Sequence, residues 1–132
     1  MGQIRPFTVL IVEDQPIISF QLSHILRRWD QSLTILTAFD GIEGLQVALE
    51  ARPDIIIADL AMPKMDGHNM VKSIRQDEYG KSGPIIGTSA SDPADIRTGA
   101  FRELCNDYLE KPFDQKDVLE KVASLLFPDE RL

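Results

Sequence analysis

A single cysteine, Cys105, stands among the 132 residues. That excludes an internal disulfide framework and fits a reducing compartment. Basic charge is scarce as well: 14 Lys and Arg face 21 acids, for a formal charge of −7. A nucleic-acid module would need a basic face, so this stretch of chain is not expected to bind nucleic acid. No apolar run approaches the length of a membrane span. The opening residues, Met1-Gly2-Gln3-Ile4-Arg5-Pro6, lack the apolar centre of a signal peptide. Internal repeats, low-complexity tracts and linkers are missing too. The expectation is a soluble, cytoplasmic protein with neither a membrane nor a nucleic acid as partner.

What is present is ordinary globular composition, 43% hydrophobic and 27% charged. The length suits one domain, 1–132, that can bury a real core. Five apolar, β-rich runs alternate with five helical patterns. Strand 1 is expected at Phe7–Val12, strand 2 at Leu33–Phe39, strand 3 at Asp54–Asp59, strand 4 at Pro84–Thr88 and strand 5 at Cys105–Leu109. Helix 1 follows Pro16 and sets Ile18, Leu22, Ile25, Leu26 and Trp29 on one face. Helix 2 is expected to turn Ile42, Leu45 and Leu49 inward, and helix 3 Met70, Val71 and Ile74. Helix 4 should be capped by Asp92-Pro93 and bury Ile96, Ala100 and Leu104. Helix 5 runs from about Asp114 to Phe127, with Val118, Val122, Leu125 and Leu126 inward. Alternation of this kind predicts an α/β fold, a parallel sheet with helices on both faces. Right-handed crossovers place all five strand ends on one edge.

That edge is where chemistry gathers in such a sheet. Ile55-Ile56-Ile57-Ala58 runs into Asp59, and a loop with Pro63 and Gly67 follows. By itself Asp59 could merely cap that loop. Strand 1, however, ends in Glu13 and Asp14, strand 4 in Ser89, and strand 5 in Lys111. Carboxylates about 4 Å apart repel by roughly 4 kcal/mol at an effective dielectric near 20. Three of them together ask for a cation. With no His or Cys alongside, a hard ion such as Mg²⁺ suits the set better than Zn²⁺. Lys111 adds a mobile positive charge, and with Mg²⁺ it could neutralise phosphoryl oxygens.

These residues in this order resemble the receiver domain of two-component response regulators. The pieces are Ile11-Val12-Glu13-Asp14, Asp59 through Gly67, Pro84 through Ala90, and Asp107 through Phe113. The resemblance spans about 7–127, leaving 128–132 as a tail or linker stub. It implies a doubly wound, five-stranded flavodoxin-like (βα)5 fold with strand order 2-1-3-4-5. It further implies that Asp59 accepts a phosphoryl group from a sensor histidine kinase or histidine phosphotransfer protein. Mg²⁺, with Mn²⁺ as an acceptable substitute, would be held by Asp14, Asp59 and the backbone carbonyl of Ala61, and by Glu13 through water. Ser89 and Lys111 would contact the phosphoryl group. Lys111-Pro112 would be cis, and Tyr108 would be the aromatic switch that answers Ser89. The output would be a changed helix 4–strand 5–helix 5 face offered to a protein target, with homodimerisation left open. On this reading the chain catalyses only its own phosphorylation and dephosphorylation.

Three departures from the family pattern carry expectations. Leu104 stands where a glycine commonly ends helix 4 in a left-handed turn, which should strain that turn. With Gly99 inside it, helix 4 is expected to be shorter or more mobile than the others. Ala61, two residues past Asp59, cannot position an attacking water, and Ser91 could do so only at short reach. Ser89 replaces the commoner threonine but keeps the hydroxyl. Rival readings are an aspartate-nucleophile phosphohydrolase, a mononucleotide binder and a degenerate receiver that serves only as an interaction module. The first usually needs a second acid where Ala61 stands. The second would find phosphate repelled by Glu13 and Asp14. The third leaves the complete set of acids, hydroxyl and lysine without a purpose.

Overall fold

The computed structural model describes residues 6–90 and 95–128. Its elements alternate strictly: β1 (Thr8–Val12), α1 (Pro16–Trp29), β2 (Thr34–Ala38), α2 (Gly41–Ala51), β3 (Ile55–Asp59), α3 (Gly67–Gln76), a short 3-10 turn (Tyr79–Lys81), β4 (Ile85–Ser89), α4 (Ile96–Leu104), β5 (Asp107–Glu110) and α5 (Gln115–Leu126). The strands form one parallel sheet in the order β2-β1-β3-β4-β5. The order reverses between β1 and β3, which makes their carboxyl ends the crevice where ligands bind in doubly wound sheets.

Strand periodicity sorts the core into two layers. Val9, Ile11, Ile55, Ile57, Ile86 and Leu109 face α1 and α5, meeting Leu22, Leu26, Val118 and Val122. Leu10, Val12, Ile56, Ala58, Ile85 and Tyr108 face the other way, meeting Met70, Val71, Ile74 and Phe101. Ile55, Ile56 and Ile57 alternate between the layers and are all essentially solvent-free. Each such side chain contributes about 1.5–3 kcal/mol of burial. This double-sided anchoring holds Asp59 at the sheet edge.

Several elements differ from expectation, each for a packing reason. α2 buries Gly41, Gly44 and Ala48, whereas Ile42 and Leu49 are exposed and Leu45 is half-buried. A Cβ on Gly44 would lie 2.7 Å from both Val12 and the Met70 sulfur. The helix therefore approaches the sheet on its small residues, and Leu45 and Val47 pack partly buried at its flanks. α4 buries Thr98 and Phe101 instead of Ile96, which is 87% exposed. Phe101 fills the space above Gly87, where a Cβ would sit 2.6 Å from its ring. The expected Asp92-Pro93 cap lies outside the described residues, and Asp95 caps the helix by accepting from the Arg97 N–H at 2.8 Å. At nine residues α4 is the shortest of the α-helices among the described residues.

β5 begins at Asp107, not Cys105, because α4 does not end in a left-handed turn. Cys105 takes extended backbone, φ −100° and ψ 153°. Among the described non-glycine residues only Arg52 and Lys64 have positive φ. The turn is instead held by Arg75 at the end of α3, whose Nε and Nη2 donate to the Leu104 carbonyl at 3.0 and 2.9 Å. Leu104 thus carries no left-handed strain. Cys105 packs half-buried against the core beside Gly87, and burial pushes its thiol up to about 12. That leaves it a small apolar packing group.

Candidate functional site

Four strand ends, those of β1, β3, β4 and β5, deliver the polar residues. β1 runs straight into Glu13 and Asp14, and the Glu13 N–H donates to the Ala38 carbonyl at 3.0 Å. β3 ends on Asp59 itself, paired in register with Thr88. The loop after it turns back at once: the Gly67 N–H donates to the Leu60 carbonyl at 2.7 Å. A Cβ at Gly67 would collide with the Asp59 carbonyl, so only glycine permits this return. Asp66 then caps α3 through the Asn69 N–H at 2.9 Å. β5 delivers Lys111, whose N–H donates to the Ser89 carbonyl at 2.9 Å, and the Lys111-Pro112 peptide is cis.

These elements bring carboxylate oxygens of Glu13, Asp14 and Asp59 within 4.8 Å of one another. Glu13 and Asp59 are 1% and 4% exposed. Lys111 Nζ bridges them, 2.8 Å from Glu13 Oε1 and 3.2 Å from Asp59 Oδ1. The other Glu13 oxygen accepts from the Gln15 N–H at 3.0 Å. Burial, then the neighbouring charge of Glu13, raises Asp59 to about 6; Lys111 opposes the rise and Asp14 adds to it. Burial acts against the Lys111 ammonium too, yet Glu13 and Asp59 outweigh it and hold its pKa above the ordinary value. The site therefore carries more buried negative charge than one lysine balances.

A cavity of about 570 Å³ opens over this cluster, lined among others by Asp14, Asp59, Ala61, Ala90 and Lys111. The donor set is all oxygen, which fits a hard divalent cation. Both Glu13 oxygens are already engaged, by Lys111 and the Gln15 N–H, whereas Asp14 and Asp59 line the cavity.

Ser89 and Tyr108 sit behind the cluster. Ser89 is 2% exposed and does not line the cavity. The Tyr108 ring is 8% exposed. It packs edge-on to Phe101 with ring centroids 6.3 Å apart, under the Arg102 guanidinium at 4.5 Å. The ring is thus already turned inward. Burial raises the Tyr108 pKa, and Ser89 lies within electrostatic reach. The Tyr108 hydroxyl nevertheless makes no hydrogen bond of good geometry. Thr88 is buried on the opposite face of β4. His24 stays at the surface, stacked on Phe20 at 6.2 Å.

Sequence reasoning missed two features. The Glu13–Lys111 pair was hidden because a glutamate before an aspartate does not reveal which cation it meets. Arg75 was hidden because an arginine in the last turn of a helix ordinarily serves only the helix dipole.

The response regulator receiver domain model matches residues 9–123, and the chain belongs to that family. Residues 6–90 and 95–128 show its (βα)5 architecture. Receiver domains are signalling phosphoacceptors, not independent enzymes. The chain is 33% identical to the DNA-binding dual master transcriptional regulator RpaA of Synechocystis, over 94% of this chain and 51% of that protein. It is 32% identical to hybrid signal transduction histidine kinase D of Dictyostelium discoideum, over 89% of this chain but 7% of the kinase. The chain therefore spans about half or less of these relatives. A crystal structure of the receiver domain of sensor histidine kinase PA1611 from Pseudomonas aeruginosa is similar at TM-score 0.83 and 27% identity, covering 92% of this chain and 98% of that one. That structure holds a magnesium ion in its active-site cleft. Among the described residues, no helix is long and apolar enough to cross a membrane.

Proposed function

We propose that Asp59 accepts a phosphoryl group from a phosphohistidine donor, a sensor histidine kinase or a histidine phosphotransfer protein. The observation that carries this is a buried, poorly compensated carboxylate at the end of β3, 3.2 Å from a lysine ammonium. Lys111 engages Oδ1, which leaves Oδ2 for attack on phosphorus. The new P–O bond forms as the P–N bond breaks, and the imidazole leaves. Lys111 can then follow the developing charge onto the phosphoryl oxygens.

Asp14, Asp59 and the Ala61 carbonyl would hold Mg²⁺ or Mn²⁺ directly. Glu13, with both oxygens engaged, suits contact through water. The ion would neutralise charge on the transferring group. Ser89 donates its hydroxyl to a phosphoryl oxygen, and Tyr108 responds. Their shift reshapes the α4–β5–α5 face that a protein target, or a second copy of the chain, would read. Phosphorylation favours a conformer that already exists, through about −1.5 to −2 added charge and three acceptor oxygens. The compartment that suits this reading is the cytoplasm.

The test is incubation with acetyl phosphate and Mg²⁺. Alkali-labile, hydroxylamine-sensitive label that disappears in Asp59→Ala supports the reading. Label that persists in Asp59→Ala, or turnover of a phosphomonoester, overturns it.

A further inference from the structure

We propose that Arg75 is the pivot of α4: it fixes the carboxyl end of that helix, so that movement on phosphorylation is confined to residues 96–99, with Gly99 as the bending point. The part about phosphorylation rests on the Asp59 reading; the lock itself does not.

All five guanidinium donors of Arg75 are used. Nε and Nη2 hold the Leu104 carbonyl at 3.0 and 2.9 Å, and Nη2 also reaches Asn106 Oδ1 at 2.8 Å. Nη1 donates to the Gly80 and Gly83 carbonyls at 2.9 and 2.7 Å. Asn106 Oδ1 accepts in addition from the Ile85 N–H at 2.8 Å. One side chain on α3 therefore ties the end of α4, the 3-10 turn, the loop before β4 and the approach to β5. A planar fork with five fixed donors can do this; a lysine ammonium cannot. Phe101 extends the fixed half, being fully buried above Gly87.

Among the described residues, the other half is held by the Asp95 cap, which accepts from the Arg97 N–H at 2.8 Å, and by no side-chain fork from another helix. Ile96 is 87% exposed. Thr98 is fully buried, yet its hydroxyl makes no hydrogen bond. A buried hydroxyl without a partner is a cost that a changed helix position can relieve. Nothing lies within 4 Å of where a Gly99 Cβ would be, so packing does not require glycine there. The residue loosens the helix without any gain in close approach. The boundary between loose and fixed thus falls between Gly99 and Phe101, one turn before the Arg75 anchor.

The test is hydrogen exchange on the full chain, resting and after acetyl phosphate with Mg²⁺, read separately for the amides of 96–99 and 102–106. In the resting protein, Arg75→Lys should speed exchange at 102–106 by about tenfold or more, while Gly99→Ala should slow it at 96–99 by about fivefold. On phosphorylation, exchange should change at 96–99 and stay within about twofold at 102–106, and Gly99→Ala should shrink that change. A phosphorylation response of equal size along all of α4, or unchanged 102–106 protection in Arg75→Lys, overturns the pivot. If Arg75→Lys does not fold, as judged by circular dichroism, the Gly99→Ala arm decides. Failure of Asp59 to take up phosphate is seen separately by mass. It would remove the proposed trigger, while the resting comparison would still decide the lock.

Discussion

Replacing Asp59 by asparagine should make the metal-free protein more stable. Asp59 is 4% exposed and faces Glu13 and Asp14 with only a shared lysine to compensate. Its pKa rises from 3.8 to about 6 on folding. At 1.36 kcal/mol for each tenfold change in proton affinity, ionising it in the folded protein costs about 3 kcal/mol. The folded state holds this proton more tightly than the unfolded chain does. The stabilisation so gained is complete below 3.8 and is lost as the pH rises through about 6. Asparagine keeps the shape without the charge, and Lys111 keeps Glu13. The gain of Asp59→Asn should therefore be near zero at about pH 4 and approach 3 kcal/mol by about pH 7.5. Urea unfolding in EDTA across that range measures it; at a slope near 1.5 kcal/mol per M the midpoint should rise by about 2 M. Adding Mg²⁺ should stabilise the wild type and leave the variant nearly unchanged, because the ion binds only a folded site that still has its carboxylates. A variant no more stable than wild type at pH 7.5, or a gain that does not shrink towards low pH, refutes the account of a carboxylate frustrated in the absence of metal.

Three further outcomes follow from particular contacts. Lys111→Met strands Glu13 and Asp59 as buried unpaired acids and should cost about 3 kcal/mol at neutral pH in urea unfolding; combining it with Asp59→Asn should return part of that loss. Gly87→Ala drives a Cβ to 2.6 Å from Phe101 and 2.9 Å from the Cys105 sulfur, so it should lower stability by about 1–3 kcal/mol, read from the urea midpoint. Ala61→Asn places an amide at the cavity wall where the native side chain cannot orient water; the half-life of the phosphorylated protein, followed by intact mass, should shorten, and an unchanged half-life would show that this position does not limit hydrolysis.

Strand ends are the legible part. An apolar run that stops in an acid, a hydroxyl or a lysine marks both the element and the residue at its rim, and of the residues read that way the structure gathers Glu13, Asp14, Asp59 and Lys111 at one sheet edge, with Ser89 buried behind them. Helix faces were harder. Ile42, Leu45 and Leu49 make a plausible apolar stripe, yet α2 turns Gly41, Gly44 and Ala48 to the sheet because close approach outweighs the burial of larger side chains. The same competition misplaced Ile96 and overlooked Phe101, whose ring needs the gap left by Gly87. The missing glycine at Leu104 predicted a strained turn. The chain supplies Arg75 from another helix instead, a contact across 29 residues that no local pattern encodes.

The central claim is that Asp59, among three clustered acids, is the one that carries the phosphoryl group. Borohydride reduction of the acyl phosphate after acetyl phosphate treatment converts the modified aspartate to homoserine, which tandem mass spectrometry locates. Homoserine is expected at position 59 alone, and only when Mg²⁺ is present. Reduction product at position 14, or none at any acid in protein that remains folded, would contradict it.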